Sequence, residues 1–367
     1  MNKVLTCSVM GAKESYDIEI IHDALRNQAE YLSTLALRFA IIADDTVAEL
    51  YGKPLINAFS NSGLEIHLFT FSAGEQYKTR ETKELLENQL FEKGLGRDTC
   101  IIALGGGVTT DLAGYLAATY CRGLPLVMIP TSLLGMVDAS IGGKTGVNVP
   151  YGKNLLGCIY QPKKVIIDTS TLQSLPQNEL SNGVVEMIKH GLIADKNLFE
   201  YLESHCHLLL GLDSEALEMS IFESCRIKKE IVEEDERENG KRRLLNFGHT
   251  IGHALERLSQ YSLAHGEAVA IGILAESHLA MQLGFLSMDD LARIRKIFMD
   301  YKLPLQFPSQ FSIESILDAM ALDKKSLRGL PRFVIIDAIG SCQSYGSNFC
   351  THVEEALIRN ALSEYKG

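Results

Sequence analysis

Cys100-Ile-Ile-Ala-Leu-Gly105-Gly-Gly-Val-Thr-Thr-Asp111 reads as a buried strand that passes through three glycines into a helix. Glycine there lets backbone approach a ligand closely, and the unpaired N–H groups and dipole of a helix start favour a pyrophosphate. The run reads as dinucleotide-binding, although it lacks the Gly-x-Gly-x-x-Gly spacing and a tight strand-to-helix turn is the competing reading. Similar short apolar runs lie on both sides, at Tyr16–Ile21, Phe39–Ala43, Ile66–Phe71, Leu126–Pro130 and Val165–Asp168. Strands of this kind alternating with helical patterns predict an α/β fold, a parallel sheet covered on both faces. Ligands in such sheets bind beyond the carboxyl ends of the strands.

From about Leu175 the period changes. Helical spacing dominates over Glu179–Leu192, Leu198–Leu210, Glu215–Val232, Asn246–Leu258, Glu267–Leu283 and Leu291–Met299, and only Arg332–Ala338 reads as a strand. The boundary falls near Ser174-Leu-Pro176, giving domains 1–175 and 176–367. A length of 367 residues is enough for two separate cores.

Composition narrows the function classes. The hydrophobic fraction is 46%, charged residues make up 22%, and the net charge is −11. That charge opposes binding to nucleic acid or an anionic membrane surface. Eight cysteines are scattered without a Cys-x-x-Cys pair, which argues for a reducing compartment and against a thiolate metal site. The sequence shows no signal peptide and no membrane-length apolar run, so a cytoplasmic protein is expected.

Chemistry concentrates in Asn246-Phe-Gly-His-Thr-Ile-Gly-His253 and in His265-Gly-Glu267. His249 and His253, four apart, share a helix face, and His265 returns after a short loop. Gly248 and Gly252 thin that helix, as they would where an ion sits near backbone. Two half-buried structural histidines are the competing reading, since His-x-x-x-His without the zincin glutamate is a weak metal signal. Glu186 and Lys189 share a face of an apolar helix, where a carboxylate needs a cationic partner or a metal. Glu186 with two histidines would make a zinc set of catalytic type. Gly142-Gly-Lys-Thr fails the P-loop spacing because Asp138 stands where its first glycine belongs. What remains is a glycine loop holding Lys144, followed by Gly152-Lys-Asn154 on an adjacent loop, a good anion cradle. The acidic run 233–238 reads mostly as a solvated helix end.

Taken together, the motifs closely resemble those of the 3-dehydroquinate synthase family, from about residue 40 to residue 340. They are Gly74-Glu-Gln-Tyr-Lys78, Gly105-Gly-Gly-Val with Asp111, Tyr120-Cys-Arg-Gly123, Pro130-Thr-Ser132, Val137 through Asn148, Gly152-Lys-Asn154, Glu186-Met-Ile-Lys189, Asp235-Glu-Arg-Glu238, Leu245 through His253, and His265-Gly-Glu-Ala-Val269. The resemblance implies an N-terminal Rossmann-like NAD domain and a mainly α-helical C-terminal domain, with the active site in the cleft between them. It implies zinc, with cobalt as a possible substitute, on Glu186, His249 and His265, while His253 handles protons beside the substrate phosphate.

NAD would contact Asp44, Glu75, Lys78, Gly106, Gly107, Asp111, Thr131, Ser132 and Lys153. Substrate would be held by Asp138, Asn154, Lys228, Arg242 and Asn246, with Arg122 reaching in from a second subunit of a homodimer. Lys144, Lys189 and Glu238 complete the catalytic set, Glu238 as a proton acceptor, and one lysine of Asp323-Lys-Lys325 joins the carboxylate end. The implied reaction converts 3-deoxy-D-arabino-heptulosonate 7-phosphate to 3-dehydroquinate and phosphate. It runs by transient oxidation with NAD, phosphate elimination, re-reduction, ring opening and aldol closure. A substrate with a carboxylate and a phosphate accounts for cationic residues in a −11 chain.

Two departures from the family pattern stand out: Thr110 where glycine usually precedes Asp111, and Gly135-Met136 ahead of Val137. The first should hold backbone slightly further from a pyrophosphate. Rival readings are another sugar-phosphate cyclase, a glycerol-type NAD-dependent metal dehydrogenase, and an inactive scaffold. The phosphate- and carboxylate-binding lysines argue against the dehydrogenase.

Overall fold

The structure, a computed structural model, describes residues 3–9, 15–25, 28–59, 62–260, 262–321, 330–346 and 348–367. The chain divides into two compact units, Met1–Leu175 and Pro176–Gly367. The Asp323-Lys-Lys325 segment lies outside the described residues.

The first unit is built on β1 (Lys3–Ser8), β2 (Ser15–Ile21), β3 (Arg38–Asp44), β4 (Glu65–Phe71), β5 (Thr99–Gly105), β6 (Leu126–Pro130) and β9 (Lys164–Asp168). They form one sheet in the order β1-β2-β9-β6-β5-β3-β4. All neighbours are parallel except β1 and β2. The apolar runs lie where expected because β3, β5, β6 and β9 are buried on both faces. Phe39, Ile41 and Ala43 pack with Cys100, Ile102, Leu104, Val127, Ile129 and Ile166 on one face. The helix Gly107–Thr119 covers the opposite face of β5 and β6. Each fully buried Ile, Leu or Phe contributes about 1.5–3 kcal/mol. β1 was not expected: its side chains alternate between half-buried and exposed, the pattern of an antiparallel edge.

The other departure is at the presumed anion-cradle loops. Lys144–Val149 and Gly152–Ile159 are not loops but β7 and β8, an antiparallel hairpin. Its glycines allow close approach of the two strands, since a Cβ on Gly157 would lie 1.9 Å from the Thr145 carbonyl oxygen.

The second unit is mainly helical. Its principal helices are Gln177–Ala194, Lys196–Ser204, Ser214–Glu234, His249–Leu258, His265–Gln282, Met288–Asp300, Ile313–Ala321 and Glu355–Ser363. The expected Leu198–Leu210 helix is split at His205 into Lys196–Ser204 and Cys206–Leu210. Arg332–Ala338 contains a shorter strand than expected, β10 (Ile336–Ala338), paired antiparallel with β11 (Ser341–Cys342).

The helices His249–Leu258 and His265–Gln282 pack closely, and glycines make this possible. A Cβ on Gly272 would lie 1.9 Å from the Gly248 carbonyl oxygen, and one on Gly252 would lie 3.2 Å from that of Ala268. Gly248 has φ +79°, a left-handed conformation that starts the helix at His249 rather than at Asn246. The sequence reading of Gly248 and Gly252 as an ion-side surface is therefore corrected: their open sides are filled by the neighbouring helix. Gly272→Ala should lower the urea unfolding free energy by about 1–3 kcal/mol, because overpacking against backbone outweighs the gain in helix propensity.

Candidate active site

In the first unit, the carboxyl ends of the strands gather one group of polar side chains. β5 ends at Gly105, and Gly106 caps the helix Gly107–Thr119 without a side-chain cap. The Gly105 carbonyl accepts the Thr131 N–H at 3.0 Å. A Cβ on Gly106 would lie 3.1 Å from Ser132 Oγ, so the glycine turn and Thr131-Ser132 are in contact. Asp44 ends β3, beside β5, and its carboxylate accepts the Val47 N–H at 3.0 Å. Thr110 is fully buried, and its hydroxyl donates to the Gly107 carbonyl at 3.0 Å.

Lys78 is buried and donates to the Asp111 carboxylate. Lys153 Nζ lies 3.7 Å from Glu75 Oε1. Asn148 joins these residues, donating from Nδ2 to Glu75 Oε1 at 2.8 Å and accepting the Asn154 N–H at 3.0 Å. Asn148 closes the motif that begins at Val137, and the family resemblance implies no role for it. Asp138 lies in the turn Gly135–Ala139, and Lys144 is exposed at the start of β7. Arg122 is exposed on a tight turn with left-handed backbone at Cys121 (φ +50°) and Arg122 (φ +69°). A cavity of about 520 Å³ opens beside His22, Asp23, Tyr51, Ser170, Gln173 and Ser174, just after β2 and β9. No motif marked it, although its position at carboxyl strand ends is the expected one.

The second unit brings Glu186, His249 and His265 together, their donor atoms all within 4.8 Å of one another. Glu186 is fully buried, and its Oε1 lies 3.7 Å from His249 Nε2 and 3.5 Å from His265 Nε2. Ligand atoms about 2.1 Å from a tetrahedral zinc stand about 3.4 Å apart, so one oxygen and two nitrogens at these spacings fit such an ion. His249 Nδ1 sits 3.0 Å from the Phe247 carbonyl. A carbonyl only accepts, so Nδ1 carries the hydrogen and Nε2 offers its lone pair. Burial opposes protonation of His265, but the Glu256 and Glu186 carboxylates outweigh it and take its pKa up to about 10. The site attracts positive charge. His253 is half-buried, with ring centroids 5.3 Å from His249 and 6.4 Å from His265, and it stands outside the donor group.

Further buried cationic residues lie on the Glu186 helix itself and on elements that pack against it. Lys189, one turn after Glu186, donates to its Oε2 and is buried. The helix Ser214–Glu234, carrying buried Lys228, and the turn Lys241–Asn246, carrying buried Arg242, both pack against the Glu186 helix. Glu238, held at φ +61°, accepts from Asn246 Nδ2. The loop between them winds around Asp235, whose carboxylate accepts the N–H groups of Asn239 (2.9 Å), Gly240 (2.7 Å) and Arg242 (3.0 Å). Those bonds outweigh burial and hold the Asp235 carboxyl below its ordinary value. Asp235 is thus no solvated helix end.

Two further residues escaped the sequence reading. Asn182, one turn before Glu186, accepts the Gly266 N–H and ties the start of the His265 helix to the Glu186 helix. Glu276, fully buried, accepts the Gly248 N–H at 2.9 Å. Neither lies in a motif.

Comparison with known proteins agrees with this geometry. Residues 68–182 match the 3-dehydroquinate synthase N-terminal family model, and residues 183–326 match its C-terminal counterpart. A 3-dehydroquinate synthase from Desulforamulus reducens is 41% identical over 362 residues, covering 98% of this chain and 99% of the relative. A crystal structure of 2-deoxy-scyllo-inosose synthase complexed with carbaglucose-6-phosphate, NAD+ and Co2+ superposes with a TM-score of 0.90 at 26% identity, covering 99% and 100% of the two chains. The 2-epi-5-epi-valiolone synthase of Streptomyces hygroscopicus subsp. jinggangensis, with NAD+ and Zn2+ bound, gives 0.88 at 31% identity over 96% and 97%. With both family models matched in chain order and a relative aligned over nearly its whole length, the chain belongs to the 3-dehydroquinate synthase family.

Proposed function

We propose that this chain converts 3-deoxy-D-arabino-heptulosonate 7-phosphate to 3-dehydroquinate and phosphate, the second step of the shikimate pathway. The observation that carries the reading is the buried Glu186 oxygen faced by two imidazole Nε2 atoms, with buried Lys189, Lys228 and Arg242 on the same and adjoining elements. When bound, zinc or cobalt on Glu186, His249 and His265 would polarise a substrate hydroxyl, and NAD would reversibly accept its hydride.

The chain's own residues do the rest. Residues 1–175 bind the dinucleotide: Gly106 and Gly107 give the pyrophosphate close access to backbone N–H groups, with Thr131 and Ser132 beside them. Asp44, Glu75, Lys78, Asp111 and Lys153 complete that set, and Asp44 suits a ribose hydroxyl. Residues 176–367 hold the metal and most of the substrate. Lys228 and Arg242, both buried and cationic, supply the positive charge that pairs with the substrate's anionic groups. Asp138, Lys144, Asn154 and Asn246 contribute further polar contacts. Glu238, fixed by Asn246, accepts a proton, and His253 handles the proton at the phosphate. Arg122, exposed on its strained turn, serves the second copy in a homodimer. Eight free cysteines support a cytoplasmic setting, and no helix among the described residues is long and apolar enough to cross a membrane.

The test is phosphate release from the heptulosonate phosphate in the presence of NAD and zinc. Stoichiometric phosphate and dehydroquinate with no net NADH is the expected result. Steady NADH accumulation without phosphate would instead indicate a dehydrogenase, and turnover of a hexose or heptulose phosphate lacking the carboxylate would indicate a different cyclase.

A further inference from the structure

His249 and His265 face the same Glu186 oxygen, yet their outer ring nitrogens have different partners. His249 Nδ1 meets a neutral backbone carbonyl, at Phe247. His265 Nδ1 lies 3.4 Å from Glu256 Oε2, a carboxylate whose residue is only 2% exposed. Glu256 follows His249 by seven residues and His253 by three on one helix, so all three side chains share a face. Charge explains why a carboxylate belongs there. Glu186 is shared between the metal position and the Lys189 ammonium on its other oxygen. A divalent cation with Lys189 would bring three positive charges into a buried place where Glu186 supplies one negative charge.

We infer that Glu256 is a positioning residue for the metal centre, holding His265 through Nδ1–H so that Nε2 points at the ion, and adding negative charge behind that ligand. The inference rests on the metal reading above. Outer partners of metal-bound histidines characteristically fix the tautomer and strengthen the ligand, and their loss costs about 10- to 100-fold in affinity. A purely structural carboxylate would affect folding of the metal-free chain but leave metal affinity unchanged.

Glu256→Gln keeps the shape and an amide oxygen that can accept from Nδ1, while removing the charge. Glu256→Ala removes both. Zinc affinity of the full chain, measured by competition with a chromogenic chelator, should fall about 10-fold for Glu256→Gln and by up to about 100-fold for Glu256→Ala. The visible absorption of the cobalt-loaded protein should shift in both variants, and metal-free Glu256→Gln should remain folded, with a cooperative urea transition. Equal zinc affinity and an unchanged cobalt spectrum in Glu256→Gln would overturn the inference. So would loss of folded metal-free protein in both variants, which would make the carboxylate's role structural. A parent protein that binds neither zinc nor cobalt would instead overturn the metal reading itself.

Discussion

Glu186→Ala should purify without metal and without measurable turnover, and its metal-free form should be less stable than the metal-free parent. The first outcome follows from geometry: Glu186 Oε1 is the atom both imidazoles face, at 3.7 and 3.5 Å. Two histidines alone are a poor substitute for three ligands of a catalytic zinc. The second follows from electrostatics. Lys189 Nζ donates to Glu186 Oε2 with both side chains inaccessible to solvent. Removing one partner of such a buried pair costs about 3–5 kcal/mol, because the remaining charge is left desolvated. Glu186→Gln separates the two effects. Its amide oxygen still accepts from Lys189, so part of the stability should return, whereas the lost anionic ligand should still abolish metal retention. Metal content after dialysis and urea unfolding of both metal-free variants provide the check. A Glu186→Ala protein that kept one zinc per chain would remove Glu186 from the ligand set.

The parts of this site that were legible in the sequence share a physical cause. Strands β5 and β6 are buried throughout and β3 and β9 everywhere but at their ends, so each appears as an uninterrupted apolar run that needs no knowledge of its neighbours. Glu186 was conspicuous because a carboxylate in an apolar helix requires a partner. That its partners include His249 and His265 came from the family resemblance, since chain spacing does not reveal which helices meet. Residues that act through long-range contacts were invisible: Asn182 reaches Gly266 across 84 positions, and Glu276 reaches Gly248 across 28. Glycine was the most ambiguous signal. The same residue type opens the turn at Gly106, brings β7 against β8 at Gly157, and packs two helices together at Gly248 and Gly272. Only the neighbouring atoms separate these uses, which is why a hairpin was read as loops and a helix contact as an ion-side surface.

His253→Ala should keep its metal and lose about 10²- to 10⁴-fold in turnover, the range removed when a positioned proton-transfer group is deleted. His253 lies one turn from His249, with the two rings edge to face at 5.3 Å, close enough to share a bound substrate with the metal. It does not belong to the group of donor atoms that converge within 4.8 Å. Its ring is only partly buried, so unfolding should change by less than about 1 kcal/mol. The useful comparison is with Glu186→Ala, since the two variants separate the metal from the proton. Equal metal content, little change in KM and a collapsed kcat would place His253 at the proton step. Free imidazole added to His253→Ala should restore part of the rate, because it supplies the missing proton carrier. Loss of metal from His253→Ala would return this histidine to the ligand set, and a retained rate would give the proton to another group, with Glu238 beside Asn246 the next to test.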